Sequence, residues 1–178
     1  MSALRSPFTS PPSAETEVGS PRDMRLWMIM MAVGATLVFL WFAFNQANAS
    51  GYWNGLIAGG KLPSWGPSLF MYWVVSSLVL LAFSWAHYMV TKYCNCPSSR
   101  NLMDIAYGLF LVLWIVQAYV WFFQQNAQAA TWITYGMLVP LVYLMVMYWR
   151  QQAAYGAGAL LTLLWIVFVV IWMNFVQQ

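Results

Sequence analysis

Five uninterrupted apolar runs, each about 20 residues or longer, leave this chain few ways to fold. They extend from about Met24 to Phe44, Pro67 to Val90, Leu102 to Phe123, Ala129 to Trp149 and Ala153 to Val176. A helix rises 1.5 Å per residue, so each run can cross a hydrocarbon core about 30 Å thick. Backbone polar groups find no water there, which leaves helices or closed barrels. The runs are continuous and lack the period-2 alternation of barrel strands, so helices are expected. Only 6% of the 178 residues are charged and 62% are hydrophobic. A water-soluble domain carries roughly 25% charged residues, so a soluble fold is excluded. The expected architecture is an all-α membrane protein, a five-transmembrane-helix bundle over residues 24–178, with the lipid bilayer as its first partner.

Residues 1–23 are rich in Ser, Pro and Thr and have no apolar segment of signal-peptide type. They read as a disordered polar tail. The basic residues divide unevenly among the loops. With five spans, Arg5, Arg22, Arg25, Lys92, Arg100 and Arg150 fall on one side and Lys61 alone on the other. The positive-inside rule then puts the N-terminus on the cytoplasmic side and the C-terminus opposite.

Ionisable groups are nearly absent from the spans. His87 lies near the inner end of the second run and Asp104 near the start of the third. A carboxylate one turn into a helix favours the helix dipole, the ordinary use of such an acid. Imidazole is a common axial haem ligand, but an interfacial histidine more often hydrogen-bonds a neighbour. No chain of membrane carboxylates and no arginine ladder is present, which argues against a proton pump, a voltage sensor or an ion-coupled carrier. There is no paired-carboxylate, Ser-His-Asp or metal-cluster pattern, so conventional hydrolysis has no candidate residues. The two cysteines, Cys94 and Cys96, supply neither a disulfide framework nor four zinc ligands. Their place beside the membrane suits reduced thiols or palmitoylation. Nothing points to nucleic acid or to an obligatory cofactor.

Tryptophan is what the spans carry instead, 12 in all. Those at span ends fit an aromatic belt. Trp73, Trp114 and Trp165 lie deeper, where each indole N–H must find an acceptor on another helix or on a ligand. Ala154 and Gly158 form a small-xxx-small step on the fifth run, with Gly156 beside them, and Pro140 interrupts the fourth. The connection between the first two runs concentrates special residues: Tyr52-Trp53-Asn54-Gly55-Leu56, then Lys61-Leu62-Pro63-Ser64-Trp65-Gly66-Pro67. Glycine and proline there predict a shaped loop rather than helix interior, a rim over whatever the helices enclose.

This connection resembles the hallmark of the TspO/translocator-protein family, also called tryptophan-rich sensory proteins. That hallmark reads roughly Trp-Tyr-x-x-Leu-x-Lys-Pro-x-Trp-x-Pro-Pro. Here the aromatic pair is reversed, Ile57-Ala58-Gly59-Gly60 is inserted, and Ser68 replaces the last proline. Leu164-Trp165-Ile166-Val167-Phe168 is similar to the fifth-helix signature, without the preceding Pro-Tyr. The resemblance implies a five-helix bundle whose pocket opens toward the first loop. It implies a porphyrin, haem or sterol as ligand, in tetrapyrrole sensing, transport or light-dependent degradation, and a homodimer. The residues it assigns to the ligand, together with the deep and rim aromatics, are Tyr52, Trp53, Leu56, Pro63, Trp65, Trp73, Trp114, Trp165 and Phe168. A reading from a different class is an accessory or scaffold subunit of a larger membrane complex, since low charge and small-residue steps also suit lateral packing.

Overall fold

A computed structural model describes residues 21–63, 66–93 and 97–176. The N-terminal tail up to residue 20, Trp65, Cys94 and Cys96 lie outside the described residues. Six helices follow one another: α1 (Pro21–Ala49), α2 (Tyr52–Ala58), α3 (Leu69–Tyr93), α4 (Pro97–Phe122), α5 (Ala127–Gln151) and α6 (Ala153–Val176). All but α2 are long and apolar enough to cross a membrane, and the five form an all-α multi-pass bundle.

Several boundaries differ from those the apolar runs suggest: α1 begins at Pro21 rather than Met24, α4 begins at Pro97 rather than Leu102, and the largest changes surround the first connection. The first helix continues past Phe44 to Ala49. Asn45 does not end it, because its amide donates to the Trp41 carbonyl one turn back, at 2.9 Å. The stop comes at Gly51, whose φ of 68° lets the chain reverse. The rim is also not a continuous loop: it opens with the seven-residue helix α2. Gly55 sits inside that helix, its weak propensity outweighed by burial of Trp53 and Leu56 on the inner face.

The helices pack in a ring, α1–α3–α6–α5–α4 and back to α1. The hairpins α4–α5 and α5–α6 share the largest contacts. Leu80, Phe83, Met103, Phe110, Trp114, Met137, Leu141, Leu144 and Tyr148 fill the middle. Several hydroxyls that enter this interior are satisfied within their own helix, whereas Ser77 Oγ is buried without a partner among the described residues. Thr36, Ser84, Thr134 and Thr162 donate to carbonyls four residues back, a bond that leaves no orphan group facing lipid. Trp27, Trp85, Trp132 and Trp149 face outward near helix ends, as an aromatic belt requires.

Helices α5 and α6 are separated by Gln152 alone. So abrupt a reversal needs small residues. A Cβ on Gly156 would sit 2.5 Å from the Trp149 ring, and one on Gly158 would sit 3.3 Å from Cβ of Ala86 on α3. Gly156→Leu is expected to cost about 2 kcal/mol through overpacking, since Trp149 must swing away. Gly136, which has open space, serves as the control: Gly136→Leu should leave the thermal midpoint in detergent within a degree or two, and equal losses in both variants would refute the packing argument.

Candidate functional site

The chain builds two clusters of interest, one at each end of the bundle. The first lies beneath α2. Trp53 meets Trp172 edge-on, with ring centroids 5.1 Å apart, and tilts over Trp121 at 6.1 Å. Tyr72 reaches Trp121, Phe122, Trp165 and Trp172, all within 5.9 Å. Phe168 stacks on Trp165 at 5.3 Å, and the Trp165 Nε1–H donates to Ser76 Oγ at 3.1 Å. Four helices thus supply one aromatic layer. The loop backbone rests directly on it, because a Cβ on Gly66 would stand 2.7 Å from Trp172 Nε1.

Three indole donors in this layer, Trp53 Nε1, Trp121 Nε1 and Trp172 Nε1, are buried without a hydrogen-bond acceptor among the described residues. Trp121 Nε1 lies beside the Tyr52 hydroxyl, outside good hydrogen-bonding geometry. Burial pushes the pKa of that hydroxyl up, so it stays neutral. Between α2, the α4–α5 turn and the end of α6, a cleft of about 410 Å³ is lined by Tyr52, Leu56, Lys61, Gln125, Ala127, Gln128 and Val176. Within the bundle a void of about 10 Å³ borders Tyr72, Trp73 and Ser76, room for about one water.

Among the candidate residues, Trp53, Trp165 and Phe168 meet in the layer, with Tyr52 and Leu56 at its mouth. Half-buried Pro63 closes the loop by accepting the Gly66 amide at 2.8 Å. Trp73 turns instead toward α1, against Trp41 at 5.1 Å and Phe44 at 6.0 Å. Trp114 is fully buried toward the middle of the bundle, edge-to-face with Phe110 at 5.3 Å. Tyr72, Trp121 and Trp172 are the central rings that reading motifs missed. Helical spacing would have found Tyr72: Leu69, Tyr72, Ser76, Val79, Phe83, His87 and Val90 form one inward stripe, and Trp73 lies off it.

The second cluster sits at the opposite end, where α1 and α4 begin and α3 and α5 finish. The His87 ring is 1% exposed and engaged through both nitrogens. Nδ1 shares a proton with the Tyr148 hydroxyl at 2.6 Å, and Nε2 with Asp104 Oδ1 at 3.1 Å. Asp104 Oδ2 faces the Arg25 guanidinium at 3.5 Å. Tyr107 lies flat on the imidazole, centroids 4.1 Å apart and planes 6° from parallel, and donates to Ser84 at 2.7 Å. Asp104 is therefore more than a helix-start acid: it joins α1, α3 and α4, and Tyr148 adds α5. An imidazole held at both nitrogens is a brace, with no free lone pair to serve as a base. A groove of about 220 Å³ runs from this cluster along Met28, Ile29, Ala32, Gly108 and Leu111. No group of three or more metal-ligating side chains occurs among the described residues.

No protein-family model, no curated protein and no solved structure matches the chain.

Proposed function

We propose that this integral membrane protein binds a hydrophobic aromatic ligand, a porphyrin or haem or else a sterol, in the manner its resemblance to the TspO/translocator family implies. One observation carries the reading: a cleft roomy enough for part of such a molecule is walled by Tyr52 and Leu56 of α2, the short helix that covers an aromatic layer holding three unpaired indole N–H groups. The cleft's own lining is mostly polar, so Lys61, Gln125 and Gln128 would set orientation while the apolar grip comes from the layer beneath α2. The indole faces would grip a flat ring system. The N–H groups of Trp53 and Trp172 would donate to it, and Lys61 at the mouth would meet a carboxylate edge. Since the layer is closed beneath α2, that short helix acts as the lid and lifts to admit the ring. The charge bias orients this mouth away from the cytoplasm. Sensing, transport and light-dependent degradation all follow from such a site, and a homodimer suits the exposed apolar faces.

Titration of the purified protein with protoporphyrin, read by quenching of indole fluorescence, tests this. Saturable micromolar binding is expected. Trp53→Phe and Trp165→Phe should weaken it about ten-fold, and Lys61→Ala about three-fold, as befits an exposed ion pair of under about 1 kcal/mol. The scaffold reading rests on a different observation: the indoles of Trp53, Trp121 and Trp172 pack against one another, and the void beside Trp73 is only about 10 Å³. Folded protein that shows no saturable quenching by protoporphyrin or by a sterol would overturn the binding reading in favour of the scaffold.

A further inference from the structure

The groove at the basic end is independent of the lid and its ligand. It lies between the first turns of α1 and the faces of α3 and α4, walled by Met28, Ile29, Ala32, Gly108 and Leu111. Its polar end holds Arg25, His87 and Asp104. We propose that it is a binding site for an uncharged, hydroxyl-headed acyl lipid drawn from the bilayer.

The head group follows from the charges. Arg25 and Asp104 form a pair that is neutral overall, 3.5 Å apart. An anionic head brought to Arg25 would also meet the Asp104 carboxylate, and a cationic head at Asp104 would displace Arg25. An alcohol suits both partners, since it donates to a carboxylate and accepts from a guanidinium. Arg25 has capacity to spare: its contact to Asp104 does not reach hydrogen-bond geometry, and its side chain is 29% exposed. His87 is already committed to Asp104 and Tyr148, so it fixes the carboxylate and takes no part in the binding.

The chain type follows from size and place. A groove of about 220 Å³ falls below the range of roughly 300–1,000 Å³ that encloses whole small-molecule ligands. It accommodates a head and the first part of a chain, whose remainder lies in the bilayer. Met28 and Ala32 on the groove wall are exposed on the outer surface of α1, so the chain leaves sideways into lipid. Gly108 widens the floor, with open space where a side chain would be.

The test uses the full chain in nanodiscs and photo-crosslinking by a monoacylglycerol with a diazirine in its 16-carbon chain. A fatty acid and an alkyl amine of matched chain are run beside it, with labelled peptides located by mass spectrometry. The expected result is labelling by the monoacylglycerol at 28–32 and 108–111, at least five-fold above the acid and the amine. Gly108→Leu should cut it at least five-fold. Leucine improves helix propensity there, so the fold should persist, and an unchanged melting temperature verifies this. Equal labelling by all three heads, or undiminished labelling of Gly108→Leu, would mean ordinary boundary lipid and overturn the site. Preference for a photoreactive sterol over the monoacylglycerol would overturn the acyl-chain assignment.

Discussion

Trp172→Ala should lose about 3–5 kcal/mol of stability, among the largest effects of any single change in this bundle. Trp172 has no exposed surface and touches Trp53, Tyr72, Trp121 and Phe168. In lipid the gain from helix association is mainly close packing, so the lost contacts count directly. Neighbouring rings cannot collapse into the space because each is fixed by another ring. Trp172→Phe keeps much of the contact and removes an indole N–H that has no acceptor among the described residues. It should cost about 1–2 kcal/mol. Reversible unfolding in mixed micelles measures both. A loss under about 1 kcal/mol for the alanine variant would show that the aromatic layer rearranges freely, contrary to its packing.

A comparable loss, about 3 kcal/mol, is expected from His87→Ala at the other end, because the change strands the fully buried Tyr148 hydroxyl and removes the ring on which Tyr107 lies. Tyr148→Phe should cost about 1–2 kcal/mol by leaving His87 Nδ1 unpaired. The double variant should then cost less than the two combined, with a coupling of about 1 kcal/mol, within the spread for buried hydrogen bonds between membrane helices. Additivity to within about 0.3 kcal/mol would mean that the 2.6 Å contact contributes nothing specific. Asp104, 38% exposed, should matter less than His87, because water screens it.

How well the sequence foretells each part depends on how local its cause is. The five spans were legible because a membrane helix is specified by its own length and apolarity, both contained in one continuous run. The α2 helix was not, because Gly55 and Gly59 read as loop residues and the burial that stabilises the helix comes from α4 and α6. Trp73 and Tyr72 are neighbours in sequence, and only the inward stripe through Ser76 and His87 tells which one faces the layer. The brace at the basic end was least legible. Its members are 17 and 61 residues from His87, so no spacing rule links them. Asp104 alone has an adequate local explanation at the start of its helix, which conceals its partners.

The ring order has a consequence for how the protein is made. Helix α1 emerges from the ribosome before the other four spans, its long partners are α3 and α4, and it is the least buried of the five. During synthesis it pairs with the next span, α3, and gains α4 when the third span is inserted. Helices α4 and α5 likewise pair with their immediate successors as they appear, but α3 meets α4 only slightly and finds its second large neighbour in α6. Assembly therefore ends at the α3–α6 seam: α6 swings in against α3 and closes the ring, while α1 is already seated at one end by α2 and latched at the other by Arg25 and Asp104.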